Sequence, residues 1–304
     1  MMKTKQTSYD EKKHYNDVYQ MLTEAFPMTG AYVQWMPPRW EYMHYHPNLN
    51  RSELSKIGIW TEDDRIVGVA TYEDNLGDAY LATLPTHRNL RNEMVQYAQQ
   101  HLHKKQKNGD GYLRIFCSDC DNELEAILKE NNFKKDCTFL EYRGVTQWDT
   151  RCEIPSIDLP SGYRLKSLQV DNDLQKIDRV LWRGFNHPGE PPLDGLNDRK
   201  LMQSTPNYDL SLNFVVENPK GEFVSYSGVW LVPTKKSAYI EPVATDPDYR
   251  RMGLGQAAVL ACIHECKKRG MDRVIVESAQ PFYVAMGFNK IFSIFPWTKH
   301  IKLD

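Results

Sequence analysis

The stretch YIEPVATDPDYRRMGLG, residues 239–255, decides how the rest of the chain is read. Its first seven residues are mainly apolar or β-branched, the composition of a buried strand. Asp246-Pro247-Asp248 stops that strand, because proline fixes φ and has no N–H to give to a ladder. Two adjacent arginines and Gly253-Leu254-Gly255 come next, and an apolar helical run follows over 254–268. A strand, an arginine-glycine turn and a helix together make an anion site. Glycines let backbone N–H groups approach closely, the helix start adds its positive dipole end, and arginine adds charge.

The chain around this stretch has 304 residues and a net charge of −2. That length carries more than one ordinary domain, and the charge balance points to neither nucleic acid nor a membrane surface as partner. Aromatics at 12% argue against disorder. Apolar runs fall far short of the roughly 20 residues of a membrane span. Residues 1–15 contain no apolar core of a secretory signal. Six cysteines are sparse for a disulfide framework, so the expectation is a cytoplasmic protein with reduced thiols.

Periodicity predicts a helix over 9–26, then an aromatic segment with Tyr32, Trp35, Trp40, Tyr42, His44, Tyr45 and His46 around Pro37-Pro38. Strands are expected at 57–61, 66–72 and 79–84, a helix at 89–105, a strand at 112–117, a helix at 122–130 and a strand at 137–142. Residues 144–162, with two prolines and a Pro-Ser-Gly turn, look like a linker. The order then repeats: a strand at 163–168, helices at 171–183 and 196–202, strands at 214–217 and 223–232, and the opening stretch. A strand at 273–277, a helical turn at 281–286 and closing strands at 291–295 and 298–302 complete it. Pro85-Thr86-His87-Arg88 falls where Asp246-Pro247-Asp248-Tyr249 does, and Asn131-Asn132-Phe133-Lys134 where Met286-Gly287-Phe288-Asn289 does. The expectation is a tandem duplication with units at 1–143 and 163–304.

Arg250-Arg251-Met252-Gly253-Leu254-Gly255 resembles the pyrophosphate signature of the GNAT superfamily of acyl-CoA N-acetyltransferases, and Tyr283 followed by Gly287-Phe288 resembles that family's later segment. The two lie about 30 residues apart, with a helix and a strand between them. The resemblance covers the second half; the first half shares only the order of elements. It implies an α/β fold with a mixed, mostly antiparallel splayed sheet flanked by helices, and acetyl-CoA as co-substrate in the splay, with no metal. It further implies that N–H groups of Arg251, Met252, Gly253, Leu254, Gly255 and Gln256 cradle the pyrophosphate with Arg250 beside them, and that backbone of Val243, Ala244 and Thr245 pairs with the pantetheine arm.

A substrate amine near pH 7 must lose a proton before it attacks a thioester. Glu241, on the strand expected to border the cleft, is the first candidate for base or amine binder; a salt-bridged strand carboxylate is the alternative. Tyr283 suits proton donation to the departing thiolate, with a packing tyrosine that only hydrogen-bonds the sulfur as the alternative. Trp182, Phe185, His187 and Glu190 are candidate acceptor contacts by the same resemblance, and His187 is the rival base. A proline-stiffened surface loop would explain those four equally well.

Val276-Glu277-Ser278-Ala279-Gln280 lacks the asparagine the family often carries there. The first half has no glycine in His87-Arg88-Asn89-Leu90-Arg91, and it has Leu128 and Asn132 where the tyrosine and glycine would stand. It is therefore expected not to bind acetyl-CoA and to supply structure and one wall of the substrate site. Cys117-x-x-Cys120 has zinc-like spacing but no second pair. Cys262 and Cys266 suit buried packing, His44 and His46 suit an aromatic core, and Trp297 fits pocket or core. The leading expectation is acetyl transfer to a primary amine of a small-molecule or peptide acceptor. The alternatives are a CoA-binding regulatory module without turnover and a small-molecule enzyme of the mycothiol-synthase type.

Overall fold

A computed structural model describes residues 4–28, 35–107, 109–138, 144–192 and 195–303. The first half runs β1 (Lys5–Ser8), α1 (Glu11–Ala25), α2 (Pro37–Tyr45), β2 (Gly58–Glu62), β3 (Arg65–Thr71), β4 (Asp78–Thr83), α3 (Arg91–His101), β5 (Lys104–Lys105), β6 (Gly111–Ser118), α4 (Asn122–Glu130), β7 (Lys134–Lys135) and β8 (Gly144–Asp149). The second runs β9 (Arg164–Ser167), α5 (Leu174–Gly184), α6 (Gly195–Gln203), β10 (Asn213–Glu217), β11 (Phe223–Val232), β12 (Ser237–Thr245), α7 (Leu254–Lys268), β13 (Arg273–Val276), α8 (Pro281–Met286) and β14 (Asn289–Ile301). Leaving out the two-residue strands β5 and β7, the second series repeats the first element for element.

Local chemistry sets the boundaries. Asp10, Asp121 and Asp173 cap α1, α4 and α5 by accepting from backbone N–H groups of the first turn. Pro37 and Pro38 sit in the first turn of α2, where a missing N–H costs nothing. Sequence reading left that aromatic segment without a helix, since aromatic residues cover most of its surface and hide the period. Gly287, at φ 111°, ends α8, and Asn132, at φ 62°, ends α4 at the corresponding place. Both residue types tolerate the left-handed turn.

Twelve strands form one sheet in the order β1-β2-β3-β4-β6-β14-β8-β13-β12-β11-β10-β9, with β5 beside β6 and β7 beside β14. The order reads as two equivalent series meeting at the β14–β8 pair. Each half gives its last strand to the other: β8 pairs antiparallel with β13, and β14 pairs antiparallel with β6. The stretch 144–162, expected to be a linker, therefore begins with a sheet strand. Val145 and Thr146 are fully buried in it. Its six residues are too short and too polar to register as a strand by pattern. Only the rest of the stretch lacks regular structure, and Ile154, Ile157 and Leu159 there pack over α7. The two expected closing strands are one, β14, which continues through Pro296; that residue's carbonyl accepts from the N–H of Asp136. The strand expected at 137–142 and Tyr32 lie mostly or wholly outside the described residues.

Burial follows the exchange. Phe295 and Trp297 of β14 belong to the first half's core, with Trp40, Trp60 and Leu113. A second cluster joins the halves: Phe26 and Met36 from the first, Trp230, Tyr239 and Ile275 from the second, with Val145 and Phe292 between them. Helix α7 is apolar nearly all round, and it is covered on both sides, by the sheet and by the segment before β9. Cys262 and Cys266 are buried in it, and all six cysteines are free. His44 is fully buried, bonded to Tyr9 Oη at 3.0 Å and to the Trp40 carbonyl at 2.8 Å; burial pushes its pKa down to about 4, so it is a neutral core residue. Among the described residues no helix is long and apolar enough to cross a membrane.

Candidate active site

The site opens where the sheet of the second half parts. Parallel pairing of β12 with β13 covers only Ser237, Tyr239 and the residue between them. Past Tyr239, β12 keeps β11 on one side and loses its neighbour on the other. The pairing with β11 also shifts register between Ser227 and Val229, opposite Glu241 and Pro242. A bulge of this kind re-aims the side chains next to it. The parted edge borders a cleft of about 700 Å³, lined by Val243, Ala244, Thr245, Arg250, Arg251, Gly253, Leu254, Gly255 and Gln256 on one side and by Gln280, Phe282 and Tyr283 on the other.

The turn at the cleft floor presents donors. Arg251 and Gly253 have φ of 63° and 79°. Helix α7 starts at Leu254 without a side-chain cap. Among the described residues, the N–H groups of residues 251–256 have no backbone acceptor. Gly255 is needed for the opening itself, because a Cβ there would stand 2.9 Å from Thr245 Oγ1 and 3.5 Å from the Phe282 ring. A row of free N–H groups at a helix start, beside an arginine, fits the pyrophosphate of a coenzyme A. Arg250 contributes differently from Arg251: its guanidinium donates to the carbonyls of Thr245 (3.1 Å) and Gly184 (2.9 Å) and to Asn186 Oδ1 (2.9 Å), which ties the turn to the end of α5. Met252 is exposed and does not line the cleft.

Glu241 lies on β12 just before the cleft edge, half-buried. Its carboxylate accepts from Tyr239 Oη, and its carbonyl accepts from Trp230 Nε1 at 3.0 Å. Burial pushes its pKa up to about 7; the charge of Arg39 and the Tyr239 hydroxyl pull it down, and Glu73 and Glu277 push it up. Tyr283 is buried, lines the cleft, and is held protonated well above the usual tyrosine range, first by burial and then by the negative charge of Glu241. Tyr283 thus lines the cleft, whereas Glu241 is not among the lining residues: it stands on β12 two residues before Val243, where its charge still acts on the phenol.

Trp182, Phe185, His187 and Glu190 do not converge there. Trp182 stacks on His187 at 4.4 Å and donates to the Pro188 carbonyl at 3.1 Å, and exposed Glu190 pairs with Arg179 at 3.0 Å. Only Phe185 reaches the cleft, at its Arg250 end. The loop is tied down by its own side chains. Residues that sequence reasoning missed come from the first half. Arg39 on α2 forms ion pairs with Glu277, at the end of β13, and with both oxygens of Glu73 at 2.5 Å, and its guanidinium covers the Trp35 ring at 4.3 Å. The one signal near this cluster was that residues 276–280 lack the family's asparagine.

Comparison with known proteins agrees with this geometry. Residues 174–288 match the acetyltransferase (GNAT) family. Mycothiol acetyltransferase of Saccharomonospora viridis is 27% identical over 132 residues, 41% of this chain and 43% of that protein. Glucosamine 6-phosphate N-acetyltransferase of Trypanosoma brucei brucei is 26% identical over 106 residues, 32% of this chain and 72% of that one. The chain thus spans less than half of the first relative's length. In fold, it superposes on a tandem GNAT protein from the clavulanic acid biosynthesis pathway with a TM-score of 0.64 at 12% identity, covering 99% of this chain and 100% of that one. A GCN5-related N-acetyltransferase from Sphaerobacter thermophilus gives 0.62 at 12% identity over 99% and 96%. The signature turn and the parted edge fall within the segment that matches the acetyltransferase (GNAT) family, and the whole chain shares the fold of a tandem GNAT protein.

Proposed function

We propose that the second half transfers an acetyl group from acetyl-CoA to a primary amine by direct attack. In this reading Glu241 takes the proton from the substrate ammonium, directly or through a water. The freed nitrogen attacks the thioester carbonyl, the C–S bond breaks as the tetrahedral intermediate collapses, and Tyr283 gives its phenolic proton to the departing thiolate. The second proton lost by the attacking nitrogen passes through solvent to the Tyr283 phenolate and restores the phenol. A base that titrates near 7 is well matched to this task, since it is half ionised at working pH yet strong enough to accept the proton. The single observation that carries the proposal is that Tyr283 and the glycine turn line one cleft, with Glu241 on β12 two residues before the lining residue Val243 and its charge acting on the Tyr283 phenol. The N–H groups of residues 251–256 would hold the pyrophosphate, and the open edge of Val243, Ala244 and Thr245 would pair with the pantetheine amides.

We further propose one acetyl-CoA site per chain, with the first half as scaffold and wall. The acceptor is a small-molecule or peptide amine. The likeness to mycothiol acetyltransferase favours a small molecule of the mycothiol-synthase type as the second reading. Six free cysteines support a reducing, cytoplasmic setting. The test is acetyl-CoA consumption across a panel of amines, repeated with Tyr283→Phe. Turnover on some amine, slowed roughly tenfold or more by Tyr283→Phe at unchanged acetyl-CoA affinity, supports the enzyme. Tight CoA binding with no acetylated acceptor, and no effect of Tyr283→Phe, would instead identify a regulatory module.

A further inference from the structure

The proposed reacting groups belong to the second half, yet the positive charge that acts most on Glu241, Arg39, comes from the first. Arg39 extends from α2 across the seam and holds two carboxylates at once. One nitrogen pairs with Glu277 at the end of β13, and the other lies 2.5 Å from both oxygens of Glu73, in the loop after β3. Its guanidinium rests on the Trp35 ring at 4.3 Å and lies 5.7 Å from the centre of the Tyr80 ring. Side-chain exposures of 15% for Arg39, 15% for Glu277 and 25% for Glu73 put the cluster largely out of water, where charges are weakly screened. Glu73 and Glu277 act on Glu241 and are both paired with the Arg39 guanidinium, with Asp74 beside Glu73 and Arg199 reaching Tyr42 in the same cluster. The other ionisable side chains that act on Glu241 from neighbouring elements are the phenols of Tyr239 on β12, Tyr42 on α2 and Tyr283 on α8.

We propose that Arg39 is a positioning residue for acetyl transfer in the opposite half: it fixes Glu277 and Glu73 at the seam and supplies the positive charge that balances them in front of Glu241. This rests on the assignment of Glu241 as base. A fork is required, because two carboxylates on different elements must be engaged by different nitrogens of one planar group. Removing it leaves like charges facing each other and raises the proton affinity of Glu241. The field of Glu73 and Glu277 then opposes ionisation of the base without the Arg39 charge, and only the hydrogen bond from Tyr239 still favours the carboxylate among the groups named here.

The experiment is the pH profile of kcat/KM, measured with the full chain on whichever amine the panel yields. The expected result for Arg39→Gln is an acidic limb displaced upward by about one pH unit or more, so that activity falls roughly fivefold or more at pH 7 and recovers in large part at pH 9. Affinity for acetyl-CoA should stay unchanged. Arg39→Lys should restore part of the displacement. Glu277→Gln, which removes a like charge and frees the guanidinium, should move the limb to lower pH, and it gives the answer even if Arg39→Gln does not fold. A loss of activity that is equal at every pH, or a limb that Glu277→Gln leaves in place, overturns the proposal. Glu241→Gln separates the two ideas. If it leaves the limb intact, the base assignment fails and Arg39 has no such role. If it abolishes the limb while Arg39→Gln and Glu277→Gln do not move it, only the role of Arg39 falls.

Discussion

The two halves solve the same junction in opposite ways. In the second, the start of α7 and the start of α8 stand apart around an open cleft, and Gly253, Gly255 and Tyr283 line it. In the first, the starts of α3 and α4 are bolted together. Arg91, the first residue of α3, reaches Asp121, the cap of α4, at 2.7 Å, and both side chains are 3% exposed. Asp121 also accepts from the Leu124 N–H at 3.2 Å, so one carboxylate serves as cap and counter-ion. The place of the tyrosine is taken by fully buried Leu128. What differs is the occupant of the junction: an internal guanidinium in one half, and in our reading the pyrophosphate of a co-substrate in the other. A duplicated unit can therefore keep its backbone while its own side chains replace the ligand.

Four measurements would break or sharpen that contrast. Glu241→Gln should lower kcat/KM at pH 7 on the order of 10²–10⁴-fold, because the open half loses its base; retained activity would move the chemistry elsewhere. Arg91→Met should destabilise the fold by about 3–5 kcal/mol in urea unfolding, since it strands a buried Asp121, and pairing it with Asp121→Leu should recover most of the loss. If the single change is silent, the bolt is ornamental. Gly255→Val should weaken acetyl-CoA binding by about 1–3 kcal/mol, read by titration calorimetry, by pushing its methyls against Thr245 and Phe282. The same titration on the unaltered chain should give one acetyl-CoA per chain, and a value of two would erase the asymmetry. The smallest effect concerns Glu41, buried on α2 and accepting from Asn207 of the second half at 2.9 Å. Burial pushes its pKa up from 4.5 to about 7, so the folded state binds an extra proton between those values and stability falls as pH rises through that window. Glu41→Gln should escape that fall, by on the order of 1 kcal/mol above pH 7 and with no advantage below pH 4.5. A difference in melting temperature that is flat with pH would contradict it.

Much of this was legible in the residues because it is local. The glycine turn, the strand ahead of it, and Tyr283 with Gly287 and Phe288 follow from φ preferences and short-range patterning, and the repeat of elements follows from their order. Strand exchange was not legible. Gly144–Asp149 and Asn289–Ile301 read as a linker and as the second half's own closing strands, because pattern shows that a strand exists but not which neighbour it pairs with. Arg39 was hidden for the same reason: its partners, Glu73 and Glu277, are distant in sequence. The loop of Trp182, His187 and Glu190 read as acceptor contacts by family resemblance, with a stiffened surface loop as the equal alternative; in the structure Trp182 stacks on His187 and Glu190 pairs with Arg179.

Reciprocal lending of β8 and β14 also governs the order in which this molecule can be completed. Strand β6 leaves the ribosome early and waits for β14, at the far end of the chain, before its open side is filled. Trp297 and Phe295 enter the first core only at that moment. Until β14 has been made, the first half carries an exposed edge and a gap in its interior, the state in which nascent chains depend most on chaperones. Loss of β14 would thus damage the half that was made first.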